Sequence, residues 1–179
     1  MACLFRLPCM RVIVSIVFWL AVVVSAYAAP ADDLVKQGRS ALQVMDIPGA
    51  MTAFDHALKA DPKHGPAAFE RGRILLKIGE AKGAVADFTT AVLDNPNFGL
   101  AHARRGEALV LLKDFEGAFA DFERAVEISP QVAEVYIVRA TYRFRIGNLA
   151  GAKLDLEAAL KVADEAQMPT LQKMLERMK

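Results

Sequence analysis

Few side chains in this sequence have the types and spacings that support chemistry. Acyl transfer needs a nucleophile on a strained turn beside a base. Beyond Ala28 the only serines are Ser40 and Ser129, and neither lies in a G-x-S-x-G elbow. A helical metal site needs ligands one turn apart, and His56, His64 and His102 are not spaced that way. His102 stands where a bulky apolar residue is usual and is expected to be a packed or partly exposed structural histidine rather than a ligand. Cys3 and Cys9 both lie near the N-terminus, so the rest of the chain has no thiol. Gly72, Gly79 and Gly83 follow a helical pattern rather than a strand, which argues against a phosphate loop. No catalytic constellation, metal or cofactor is expected, and the chain does not read as an enzyme.

One ionic pattern remains. Arg71, Arg105 and Arg139 recur every 34 residues, and Asp87, Asp121 and Asp155 follow them at the same step. One step earlier the two positions hold Gln37 and Ala53. An arginine column alone would suggest an anionic ligand. Because the aspartates are gained and lost with it, a bidentate Arg–Asp bridge between two helices is the better account.

The elements that must position these residues share that step. Ala50, Ala84, Ala118 and Ala152 form one column, Phe54, Phe88, Phe122 and Leu156 a second, and Ala57, Ala91, Ala125 and Ala159 a third. Pro62, Pro96 and Pro130 make a fourth, with Gly38, Gly72, Gly106 and Ala140 upstream. The spacing predicts two helices per unit, from about the first to the fourteenth residue and from about the eighteenth to the thirty-first. Small residues let the two backbones cross closely, and the phenylalanines, one turn beyond the alanines, fill the space left. Each proline ends a second helix, because the residue before it leaves the α region. Pro48, Gly79, Asp114 and Gly147-Asn148 mark the turns between helices. After the fourth unit Asp164 replaces proline. Met168, Leu171, Met174, Leu175 and Met178 then follow at helical spacing, predicting a terminal cover for the array or, alternatively, an adaptable Met-rich partner surface.

A 34-residue period carrying Arg105-Gly106-Glu107-Ala108-Leu109, the Ala118 to Ala125 run and Ser129-Pro130 resembles the tetratricopeptide (TPR) repeat. The resemblance runs from Ala31 to about Asp164. It implies an all-α fold, a right-handed solenoid of four helix-turn-helix repeats at 31–64, 65–98, 99–132 and 133–164, followed by a capping helix over 165–179. It also implies a concave groove lined by the first helices at repeat positions two, five, nine, twelve and thirteen. The candidate peptide-binding residues are Val35, Arg39, Phe69, Arg73, Lys77, Ala103, Glu107, Ile137 and Thr141. TPR domains that hold a chaperone's C-terminal carboxylate use asparagine at the ninth position. Here that position holds Arg39, Arg73, Glu107 and Thr141, so the clamp is absent. An apolar anchor around Phe69, beside Arg39, Arg73 and Lys77, suits a segment with a hydrophobic and an acidic residue. The other reading packs Phe69 between neighbouring repeats.

Of 22 basic and 21 acidic side chains, only Arg6 and Arg11 precede Asp32, so the repeats are nearly neutral. That excludes the basic stripe a nucleic-acid binder displays. Arg6 and Arg11 stand before an apolar run, Val12 to Val24, and Ala26-Tyr27-Ala28 offers a small-x-small cleavage site, so residues 1–28 read as a secretory signal. The run is shorter than the about 20 residues of a spanning helix. An uncleaved anchor facing the periplasm is the alternative, and the only membrane attachment expected. With no cysteine at the cleavage point and no thiol beyond it, the expected location is the bacterial periplasm. Two function classes follow: an exported scaffold binding a protein or peptide segment, in envelope assembly, or an accessory subunit whose groove holds a small ligand or glycan.

Overall fold

The computed structural model describes residues 30–177; the expected leader at 1–28 lies outside them, as does Met178. Among the described residues there are nine helices and no strand. They pair as α1 (Ala31–Gln43) with α2 (Ile47–Ala60), α3 (Gly65–Lys77) with α4 (Ala81–Asp94), α5 (Gly99–Leu111) with α6 (Phe115–Ile128), and α7 (Ala133–Arg145) with α8 (Leu149–Val162). A ninth helix, α9 (Met168–Glu176), closes the array. The second helices begin and end one residue earlier than the spacing predicts. Pro48 therefore belongs to the first turn of α2 rather than to a turn between helices, where its missing N–H has no intrahelical acceptor to lose.

Every repeat makes the same turn. Its fifteenth residue is left-handed: Met45, Gly79, Lys113 and Gly147 have φ of 62°, 85°, 64° and 81°. In three repeats the next residue caps the second helix, Asp46, Asp114 and Asn148 accepting from the N–H of Gly49, Gly117 and Gly151 at 2.9, 3.0 and 2.9 Å. These bonds satisfy donors that a helix start leaves unpaired.

Close crossing of paired helices is set by the glycine and phenylalanine columns. A Cβ added at Gly38, Gly72 or Gly106 would stand 2.4, 2.9 or 2.8 Å from the ring of Phe54, Phe88 or Phe122. Repeat four exchanges both members together, with Ala140 for glycine and Leu156 for phenylalanine, and both are fully buried. Each of the three phenylalanines meets the first helix of the following repeat. Phe54 clusters with Ala67 and Ile74, Phe88 with Ala101 and Ala108, and Phe122 with Val135, Val138 and Tyr142. The core is thus a row of clusters, each closed by its neighbour.

The last cluster is closed by α9. Leu171 is buried against Leu156 and Ala159, with Met174 and Leu175 beside it. Leu171 lies one 34-residue step beyond Ile137, so the cap keeps the repeat register. It is a shortened first helix, nine residues against thirteen in α7.

First helices pack on the first helices of the next repeat, α1 on α3, α3 on α5 and α5 on α7, whereas consecutive second helices have no close backbone contact among the described residues. The first-helix layer is the tighter of the two.

Candidate functional site

The arginine column decides first which cations are free. Arg71 Nε and Nη2 donate to the two oxygens of Asp87 at 2.8 and 2.7 Å. Arg105 meets Asp121 at 2.7 Å through both nitrogens, and Arg139 meets Asp155 at 3.1 and 2.6 Å. The expected bridge is present in all three repeats. Each guanidinium also has a partner in the preceding repeat that sequence reading missed. Arg71 Nη1 donates to Asp55 at 2.7 Å, Arg139 Nη1 to Glu123 at 2.8 Å, and Arg105 Nη1 more weakly to Thr89 at 3.4 Å. Asp55, Thr89 and Glu123 are themselves a polar column at the same step, which is the signal that would have found them. The arginines tie three helices together, each with a carboxylate already in place.

Hydrogen bonding to Asp87 and to Asp121 holds Arg71 and Arg105, respectively, above the usual guanidinium range, against the opposing effect of burial. For Arg139 burial acts downward most strongly, but Asp155 and Glu123 together outweigh it. Burial alone would push the Asp121 carboxyl up; hydrogen bonds and charge from Arg105 and His102 overcome this and hold it below the usual carboxylate range. His102 is buried, with Nδ1 3.2 Å from Asp121 and Nε2 3.2 Å from the Pro96 carbonyl. It is the structural histidine expected.

The first-helix face separates into open and closed positions. Arg39, Lys77 and Thr141 are exposed, and Arg73, Glu107 and Ile137 are half-buried. Val35, Phe69 and Ala103 are only 3%, 6% and 0% exposed. Position five points into the core in these three repeats, so these side chains leave the expected groove lining. The Phe69 ring lies 4.6 Å from that of Phe98 and 5.8 Å from that of Phe88. It packs between repeats and forms no anchor pocket.

Position six supplies what the sequence reading lacked. Glu70, buried, accepts from Arg39 Nε at 2.9 Å and from Arg73 Nη1 at 2.8 Å. One repeat later the signs invert: Arg104 pairs with Glu107 at 2.8 Å and with Glu134. Its Nε is buried without a hydrogen-bond partner. The signal was a change of charge at position six, Lys36, Glu70, Arg104. Arg39 and Arg73 are therefore clamped on one carboxylate, whereas Lys77 has no ion pair among the described residues. Arg39, Arg73 and Lys77 against Asp32 and Glu70 leave the first two repeats net positive, whereas Arg104 and Arg145 against Glu107 and Glu134 leave the face of repeats three and four balanced. A cavity of about 140 Å³ opens at the positive end, walled by Leu42, Ile47, Ile74 and Ile78 beside Glu70, Arg73 and Lys77.

These helix pairs, their step and their first-helix face define a helical-repeat protein. The family model for the tetratricopeptide repeat matches residues 35–92 and 73–133, more than half of the chain. The chain belongs to the tetratricopeptide-repeat family. The fourth repeat, beyond the matched residues, keeps the same helix pair. No match was found among curated protein sequences. Among solved structures the chain is similar to TTC0263, a thermophilic TPR protein of Thermus thermophilus, at TM-score 0.71 and 22% identity, covering 83% of this chain and 80% of that one. It is also similar to MamA from Desulfovibrio magneticus RS-1, at TM-score 0.63 and 23% identity over 74% and 75% of the two chains. A third is the second TPR of Spaghetti (RPAP3), bound to the HSP90 peptide SRMEEVD, at TM-score 0.54 and 24% identity over 59% of this chain and 97% of that one. At these identities the likeness is one of fold.

Proposed function

We propose that this chain is an exported interaction scaffold that holds an extended segment of a partner protein along its first-helix face, in assembly of the bacterial cell envelope. The observation that carries the reading is the charge layout of that face: a net positive end around Lys77 and a balanced one where Arg104 and Arg145 offset Glu107 and Glu134, with exposed Thr141 and half-buried Ile137 beyond it. A change of charge along an extended face sets the direction of a bound segment and speeds the encounter of its acidic end. The peptide held by the RPAP3 repeats supports the same use of the fold here. Export rests on the leader pattern at 1–28. A small-ligand site is less well supported: the hollow of about 420 Å³ around Asp55, Lys59, Arg71, Asp87 and Thr90 has the size of such a site, but its arginine is already bonded to both aspartates.

The test uses a partner recovered from the cell envelope and measured against variants. Lys77→Glu should weaken binding about tenfold and blunt its salt dependence, with melting unchanged, because exposed substitutions stay within about 0.5 kcal/mol of neutral. Thr141→Arg should also weaken it. Arg73→Glu is unsuitable despite its place on the face, since it would set a second carboxylate against buried Glu70. If both Lys77→Glu and Thr141→Arg leave affinity intact, the groove is not the site.

A further inference from the structure

We infer that the cavity between the first two repeats is a receptor for one aliphatic side chain, of leucine or isoleucine size, flanked by an acidic residue within the partner's segment. This rests on the groove reading and adds the chemistry of its anchor. α3 turns Glu70, Ile74 and Ile78 to one face at helical spacing, opposite Leu42 at the end of α1 and Ile47 at the start of α2. Ile74 is buried and forms the floor, whereas Ile47 and Ile78 are 37% and 62% exposed and form the mouth. A volume of about 140 Å³ is close to the roughly 150 Å³ apolar cavity that accepts benzene. It suits one branched aliphatic side chain.

Charge selects the neighbour. Arg39 and Arg73 both hold Glu70, so Lys77 at the mouth is the cation left for an incoming carboxylate. The net positive field of this end favours the same partner.

The chain also carries a filled version of the site. Position ten is Ile74 in repeat two and Tyr142 in repeat four. Tyr142 is buried with its ring 5.1 Å from that of Phe122, and the space beside it, toward Val110, Val138 and Arg145, is only about 20 Å³. Tyr142 therefore fills at its junction the space that is open beside Ile74, and the open copy lies at the positive end.

Isoleucine-methyl NMR reads this directly, because Ile47, Ile74 and Ile78 surround the cavity and Ile137 and Ile146 lie in repeat four. The probe is an acetylated, amidated peptide with the core Asp-Leu-Glu. Its expected effect is saturable shifts at Ile47, Ile74 and Ile78, with a dissociation constant of about 1 mM, as suits a single anchor. The core Asp-Ala-Glu and the variant Lys77→Glu should each bind about tenfold more weakly. Ile74→Tyr, which copies repeat four, should abolish the shifts at Ile47 and Ile78; if it fails to fold, the peptide pair and Lys77→Glu still decide. Absence of shifts at these three methyls up to about 10 mM, or equal binding of the Leu and Ala peptides, overturns the inference. A captured partner weakened by Thr141→Arg but not by Ile74→Tyr sinks the cavity alone; one indifferent to Lys77→Glu, Thr141→Arg and Ile74→Tyr sinks the groove as well.

Discussion

Asp121 lies under three donors, two from Arg105 and one from His102. Its carboxyl is held below the usual range in the folded chain, so the unfolded chain takes up its proton first as pH falls. The stability it contributes is fully present above about pH 4, the ordinary carboxylate value, and drains as pH drops through the lower folded value. Urea unfolding from neutral to acid pH should follow this loss, and Asp121→Asn should be less stable at neutral pH but lose less on acidification. Arg105→Ala and Asp121→Ala should each cost about 1–3 kcal/mol, and the double change should cost less than their sum, since removing one partner strands the other. Strict additivity would contradict the bridge. The pairing was legible because arginine and aspartate appear and vanish together at one step. Glu70 was not, because its only signal is a change of sign at position six, and its partners lie in two repeats rather than in one matched column.

At the scale of the helix pair, the size of two facing residues sets the crossing. Phe122→Ala should destabilise by about 3–5 kcal/mol, whereas Phe119→Ala, at a side chain 51% exposed, should cost less than about 1 kcal/mol. Leu156→Phe alone should destabilise by about 1–3 kcal/mol through overpacking against Ala140. Adding Ala140→Gly, which recreates the pair of the other repeats, should recover part of that loss; thermal melts of the two variants measure it. The columns made this pairing legible. The exact helix ends were not, because position fifteen turns left-handed even where it is Met45 or Lys113, residue types that do not advertise that conformation.

At the scale of the whole array, order and number of repeats followed from the period, and the cap from its apolar spacing. Its register as a shortened fifth first helix emerged only from the packing of Leu171 against Leu156 and Ala159. Positions nine, twelve and thirteen, expected on the groove, are exposed or half-buried in every repeat. Position five misled because Val35, Phe69 and Ala103 are apolar residues that bury more surface inside the array than on its face, a choice set by packing rather than by period. The central claim, that the first-helix face holds a partner segment, is tested most directly by placing a photo-crosslinking residue at Lys77 or Thr141 on that face and at Lys59 or Leu93 on the second helices, all four exposed. Mapping the crosslinked products by mass spectrometry should show one partner segment joined through Lys77 and Thr141 and not through the other two. The same partner captured through Lys59 and Leu93 alone would contradict the account.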